Sequence, residues 1–206
     1  MYEPQMKIPH ALMFGALVMM GLAGLARTGS AEPVEPLTLR LHLDNRSQFP
    51  RHVVVRAELE VSRIYRSFGV ETLWVDGDSA SHPVERDREL TVIITAQAGD
   101  ERASRIDAMG IAPGSDQLHG RIAFAFHDRI ERFARAYRVD ASVVLGHVMA
   151  HEIGHLLLPF GMHSPTGLMC GHWNSPQVRR AVIGQLQFTP EQAELIRIEL
   201  VAQRGD

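Results

Sequence analysis

Apolar and polar residues alternate along Leu37–Leu43 (LTLRLHL), and this period of two predicts a half-buried β-strand. After Pro50 the apolar residues recur at helical spacing until Gly69, which predicts an amphipathic helix. Two β-rich runs follow at Glu71–Val75 and Leu90–Thr95, and a polar loop separates them. The first half of the chain therefore predicts a strand, a helix and two further strands.

The second half of the chain turns from strands to helices. Gln97–Gly120 is rich in Gly, Ala and Asp, has no regular period, and is predicted to be an irregular segment that could contribute to a substrate rim. Arg121–Phe126 predicts another strand and Asp128–Tyr137 a short helix. A last helix is predicted to begin at Thr189, because an N-cap threonine is followed there by proline and by a capping-box glutamine, Gln192.

Between these two helices, Val143–Leu158 is apolar on nearly every side of a helix, which is typical of a buried helix. It nevertheless contains His151, Glu152 and His155 in the pattern H-E-x-x-H. Residues four apart lie on one helical face, so both imidazoles can reach one zinc ion, and Glu152 can take a proton from a metal-bound water. Burying these groups without partners would be costly, so the apolar setting favours a metal site.

The segment after this helix offers a third ligand. Pro159 cannot continue a helix, and Gly161 can adopt the backbone conformations of a sharp turn. The chain is therefore expected to leave the helix at Leu158 and double back, which brings His163 near the metal. A turn-rich Ser-Pro-Thr-Gly segment then leads to Met169.

Together these residues resemble the signature of the metzincin metallopeptidases, H-E-x-x-H-x-x-G-x-x-H followed by a methionine-containing turn. The sequence from His151 to Met169 is also similar to the corresponding segment of a group of small predicted zinc-dependent proteases. The resemblance implies three metal ligands, a general base, the residue after the third ligand and the Met-turn methionine, namely His151, His155, His163, Glu152, Ser164 and Met169. The match departs from the signature in its spacing, because seven residues separate His155 from His163.

The resemblance also implies a fold. Residues 32–206 would form one α+β domain of zincin or metzincin-like architecture, with a mixed β-sheet packed on a backing helix and an active-site helix. A short C-terminal subdomain ending in a helix would complete it.

Other residues compete for the same roles. His147 lies one turn before His151, but three ligands on successive turns would spread over about 12 Å, too far for one zinc. His147 is therefore interpreted as a core histidine or as a residue that supports a ligand without binding the metal. His172 could polarise a substrate carbonyl, although a surface position is commoner for histidine. A gluzincin alternative would take Glu191 or Glu194 as the third ligand instead of a histidine.

Near the N-terminus, Ala11–Ala26 is an uncharged apolar run of sixteen residues that follows Lys7. It is short for a membrane span and suits the core of a signal peptide, with small residues at Gly29–Ala31 as a cleavage site. Residues 1–31 are therefore predicted to be a signal peptide, or alternatively an uncleaved membrane anchor. The protein would be exported, either secreted or periplasmic, or anchored by this segment. Cys170 is the only cysteine, which excludes an intramolecular disulfide.

The charge pattern narrows the class of partner. The formal net charge is −3, and the basic residues are scattered among acids, which argues against a nucleic-acid binder. We expect a zinc-dependent peptidase that acts on a peptide or protein, with Zn²⁺ as cofactor. The alternatives are a zinc-dependent amidase of non-peptide substrates and a non-catalytic metal-binding module. The sequence makes no prediction of oligomeric state.

Overall fold

The computed structural model describes residues 36–75, 89–97, 108–115 and 120–205. Strands and helices alternate in the first part of the chain, and helices follow in the second. In chain order they are β1 (Leu37–Arg46), α1 (Arg51–Arg66), β2 (Val70–Val75), β3 (Leu90–Thr95), β4 (Gly110–Ile111), β5 (Ile122–Phe126), α2 (His127–Tyr137), α3 (Ala141–Leu157), α4 (Ser175–Val182) and α5 (Pro190–Gly205).

The described strands form a five-stranded mixed sheet in the order β2-β1-β3-β5-β4. β1 pairs with β2 on one side and with β3 on the other, and both pairings are parallel. β3 and β5 are also parallel, whereas β4 runs antiparallel to β5 and occupies the edge of the sheet. The predicted mixed α+β class is confirmed.

The alternation read in β1 is present in the structure. Leu37, Leu39 and Leu41 are buried, and the residues between them are more exposed. Side chains of successive strand residues point to opposite faces, so one face of β1 packs into the core.

α1 and α3 pack closely against each other. A β-carbon on Gly146 of α3 would lie 2.9 Å from the backbone oxygen of Ala57 of α1, so the absence of a side chain there permits the close approach. Tyr65 of α1 donates a hydrogen bond to the backbone oxygen of Ala150, 3.3 Å away. α1 therefore fixes the position of α3 in the core.

α3 is buried along most of its length, as its apolar composition predicts. It begins after Asp140, whose carboxylate accepts a hydrogen bond from the backbone N–H of Ser142 and caps the helix. It ends at Leu157, and Leu158 is already extended, which is where Pro159 was expected to stop it.

Two short elements were missed by the sequence prediction. β4 falls within the segment Gln97–Gly120 that was predicted to be irregular, and α4 was not predicted at all. The structure describes only residue 97, residues 108–115 and Gly120 of that segment. The other predicted strands and helices are present; β3 has the predicted bounds, and the ends of the others differ from the prediction by at most three residues.

The predicted signal peptide or anchor, residues 1–31, lies outside the described residues, so cleavage and export stay predictions. Among the residues described, no helix has the length and apolar character that crossing a membrane requires.

Candidate metal centre

α3 places His151 and His155 one turn apart on the same face. Their Nε2 atoms lie 3.1 Å from each other, and their ring centroids are 4.8 Å apart. The ring edges therefore converge on one point beside the helix.

The segment after α3 brings a third imidazole to this point. Gly161 adopts a left-handed conformation, with φ +70°, and this conformation is accessible to glycine at no steric cost. The chain turns back there, and the ring of His163 lies 4.7 Å from that of His155 and 5.5 Å from that of His151, measured between centroids. One potential ligand atom from each histidine lies within 4.8 Å of the other two.

The spacing of His151 and His155 fits a tetrahedral metal. Zinc–nitrogen bonds of about 2.0–2.1 Å place two tetrahedral ligand atoms about 3.3 Å apart, close to the separation of the Nε2 atoms of His151 and His155. The side chains become more open to solvent from His151 through His155 to His163, so the cluster faces outward on the His163 side. A group held there would keep one side accessible to a substrate.

His151 is held in the tautomer that ligation requires. Its Nδ1–H donates a hydrogen bond to the backbone oxygen of Leu168, 2.8 Å away, which leaves the lone pair on Nε2. The pKa of His151 is lowered to about 4, mainly by burial and to a smaller extent by the neighbouring His163, against the opposing effect of the hydrogen bond to Leu168. His151 is therefore neutral near pH 7, as a ligand must be.

Glu152 lies beside the histidines in a much drier setting. The residue is 7% exposed, and burial raises the pKa of its carboxyl group to about 8. A β-carbon on Gly110 of β4 would lie 2.7 Å from Cγ and 2.8 Å from Oε1 of Glu152, so the edge strand covers this carboxyl group directly. With a pKa of about 8, this carboxyl group is mostly protonated near pH 7 in the metal-free protein, and it accepts a proton only when it is ionised.

Met169 packs against α3. It is fully buried, and a β-carbon on Gly154 of α3 would lie 2.8 Å from its Sδ. Its backbone oxygen accepts a hydrogen bond of 3.0 Å from the N–H of Ser164, which closes the turn after His163. Met169 therefore contacts both the helix that carries His151 and His155 and the residue that follows His163.

The other candidate residues lie elsewhere. His147 is fully buried, and its Nδ1–H donates to the backbone oxygen of Val143, 2.8 Å away, in keeping with a core histidine. His172 is exposed, and Cys170 is half-buried, with Sγ 3.3 Å from the backbone oxygen of His172.

The gluzincin alternative is not favoured by the arrangement. In the part of the chain that the structure describes, the one group of three or more potential metal ligands consists of His151, His155 and His163. Glu191 and Glu194 are exposed on α5, outside this group.

Sequence reasoning missed two contacts made near the centre. Gly110 covers Glu152, but it lies in a segment without a periodic signal. Gln192 was identified only as a capping residue, yet its Nε2 also donates to Oγ of Ser164, 3.1 Å away. No local sequence pattern predicts either contact, because each contact joins residues that are distant in the sequence.

Comparison with known proteins gives little beyond this geometry. No family model matches the chain, and no curated protein matches it. Among solved structures, the crystal structure of metalloproteinase-II from Bacteroides fragilis aligns over 84% of this chain and 55% of its own, with 16% identity and a TM-score of 0.45. The chain thus spans about half the length of that protein, and at this level of similarity the functional assignment depends on the histidine cluster itself.

Proposed function

We propose that this chain is a zinc-dependent metallopeptidase with a zincin-like fold and a metzincin-like site. The observation that carries the proposal is the convergence of His151, His155 and His163, together with the burial of Glu152, which directly follows His151 in the chain. Three neutral imidazoles with an open fourth position are a typical ligand set for catalytic zinc. When bound in such a site, zinc polarises a carbonyl group and lowers the pKa of a coordinated water toward neutrality.

Three residues of the chain have separate roles in this proposal. The hydrogen bond from His151 to the backbone oxygen of Leu168 fixes the orientation of the first imidazole. Glu152 accepts a proton from the attacking water and returns it to the leaving amine. The buried methionine of the following turn, Met169, packs under α3 and supports the metzincin-like assignment.

The edge of the sheet favours a peptide as the substrate. Among the described strands, β4 pairs only with β5, and an extended peptide substrate would add to the other edge of β4 by backbone hydrogen bonds. Gly110 of this strand contacts Glu152, so a peptide lying along β4 would pass close to the proposed base. A small non-peptide amide would make no use of this edge.

The first experiment replaces the base and keeps the ligands. The Glu152→Gln variant is expected to retain zinc while its turnover of a mixed peptide library falls by about 10²–10⁴-fold, because the amide cannot accept a proton. Zinc content and peptide cleavage are measured on the same preparation. Full turnover in a zinc-loaded variant contradicts the assignment of Glu152, and cleavage of small amides without internal peptide bonds favours an amidase.

The second experiment tests the third ligand. His163→Ala is expected to weaken zinc binding, and His172→Ala is the matched control, since His172 is an exposed histidine in the same part of the chain. Competition against a chelator measures both affinities. An unchanged affinity in His163→Ala rejects the three-histidine centre.

A further inference from the structure

The loop that carries His163 is tied to the beginning of α5 at two points. The backbone N–H of Leu168 donates a hydrogen bond of 2.7 Å to the backbone oxygen of Gln187. The side-chain Nε2 of Gln192 donates one of 3.1 Å to Oγ of Ser164. Both ends of the loop therefore contact residues 187–192.

Each of these contacts lies next to a group of the proposed metal centre. Leu168 is the residue whose backbone oxygen accepts the hydrogen bond from His151. Ser164 directly follows His163, and its hydroxyl group also donates to the backbone oxygen of Thr166, 2.6 Å away. Residues 187–192 thus hold Leu168, which accepts the hydrogen bond from His151, and Ser164, which follows His163.

Gln192 has the properties of a fixed support. The residue is only 4% exposed, and its Oε1 accepts a hydrogen bond of 3.0 Å from the backbone N–H of Thr189. This bond caps α5, so the amide group is already oriented when its Nε2 reaches Ser164. α5 is anchored in turn by Arg197, which donates to the backbone oxygen of Phe68, 3.1 Å away.

The third ligand has the greatest need of such support. His151 and His155 lie on a buried helix, whereas His163 lies on an irregular, exposed segment. Ordering that segment on metal binding would cost conformational entropy, and contacts that fix it beforehand reduce this cost. A hydrogen bond to the adjacent residue is a direct way to fix it.

We propose that Gln192 is a positioning residue for the metal centre, which holds Ser164 and so keeps His163 at the distance that ligation requires. The proposal rests on the proposed function, because it assumes that His163 binds the metal. Gln192 touches neither substrate nor metal in this role; it acts through Ser164. The C-terminal helix thereby sets the affinity of a site formed mainly by α3.

Three variants separate this role from general stability. Gln192→Met keeps the length of the side chain and removes its hydrogen bonds, and Ser164→Ala removes the partner. Thr189→Ala is the matched control, because it removes the reciprocal capping bond, from the N–H of Gln192 to Oγ1 of Thr189, without touching Ser164. Zinc affinity is measured by chelator competition, and the thermal midpoint of the metal-free protein is measured beside it.

We expect Gln192→Met and Ser164→Ala each to weaken zinc binding by roughly 10- to 100-fold, the usual loss for residues that orient metal ligands. The double variant should bind zinc no more weakly than the single variant with the lower affinity, because both changes remove the contact between Gln192 and Ser164. Thr189→Ala should lower the thermal midpoint and leave the zinc affinity within about twofold of the parent.

Several results would overturn the proposal. One is a Ser164→Ala or Gln192→Met protein that binds zinc as the parent does, and another is an equal loss of affinity in Thr189→Ala. If Gln192→Met does not fold, Ser164→Ala alone decides. A loss in His163→Ala with no loss in Ser164→Ala rejects the role of Gln192 and keeps the metal centre, whereas an unchanged affinity in His163→Ala rejects both.

Discussion

Gly110 of the edge strand lies directly against the side chain of Glu152. A β-carbon at position 110 would come within 2.7 Å of Cγ of Glu152 and within 2.7 Å of the backbone oxygen of Phe124. The bare backbone of β4 therefore forms one wall around the proposed base. Any side chain at this position has to displace either the carboxyl group or the pairing of β4 with β5.

Gly110→Ala is therefore predicted to lower the turnover number strongly while the protein still binds zinc, because the histidines lie on other elements. A displacement of the base by about 1 Å can cost roughly 100-fold in rate. Zinc affinity, the turnover number and the Michaelis constant are measured on one preparation. In a Glu152→Gln background the same glycine change should cost almost nothing further, since the group that it displaces is already inactive.

The control for Gly110 is Gly120→Ala. A β-carbon on Gly120 would lie 1.9 Å from the backbone oxygen of Pro113 and 3.3 Å from Cδ2 of Leu156, but Glu152 is not among its nearest neighbours. This variant disturbs the backbone nearby and is expected to lower stability more than turnover. Equal losses of turnover in both variants, or an additive loss in the Glu152→Gln background, would contradict the contact with Glu152.

The histidines of α3 could be predicted from the sequence because their geometry is local. Two residues four apart in a helix lie on the same face wherever the helix is placed in the fold. Pro159 and Gly161 likewise predict the turn that brings His163 back toward α3. The apolar composition of Val143–Leu158 also showed that the helix is buried. These signals need no knowledge of what packs against the helix.

β4 and α4 could not be predicted in the same way. β4 depends on contacts with a distant part of the chain, and the sequence signal of α4 is short. β4 has only two residues, and its strand conformation exists because it pairs with β5, which no local pattern of residues reveals. α4 did carry a signal, since Asn174 and Gln177 form a capping box around a proline at the start of the helix. That helix is only eight residues long, too short for its apolar spacing to stand out.

Two glycines of α3 allow a second prediction, because they face different neighbours. A β-carbon on Gly154 would lie 2.8 Å from Sδ of Met169 and 2.8 Å from the ring of Phe188, beneath the histidine cluster. One on Gly146 would lie 2.6 Å from Cβ of Glu60, at the contact with α1. Alanine is the better helix former by about 1 kcal/mol, but overpacking costs about 1–3 kcal/mol.

Both Gly154→Ala and Gly146→Ala are therefore predicted to lower the free energy of unfolding, by up to about 2 kcal/mol. Only Gly154→Ala should also weaken zinc binding, because it pushes against the methionine turn that carries the hydrogen-bond acceptor of His151. Urea unfolding of the metal-free proteins and chelator competition give the two quantities. Equal zinc affinities in the two variants would mean that Met169 does not support the centre.

His147 gives a third prediction because it is buried away from the proposed ligands. It is fully buried in α3, and its Nε2 lies 3.4 Å from Oε1 of Glu60 without the geometry of a hydrogen bond. Burial lowers the pKa of His147 below its ordinary value, against the opposing effects of the bond to Val143 and the charge of Glu60, while the charge of Arg63 lowers it further.

The unfolded chain therefore binds a proton at His147 at a higher pH than the folded chain does. The pKa of His147 in the unfolded chain is about 6.5, and above this pH the stability that His147 contributes is fully present. This stability is lost as the pH falls toward the lower pKa of His147 in the folded chain. Metal-free His147→Gln is thus predicted to lose less free energy of unfolding between pH 7 and pH 5 than the parent. Urea titrations at intervals of half a pH unit measure the slopes, and the same slope for His147→Gln and the parent would show that His147 is not protonated on unfolding in this range.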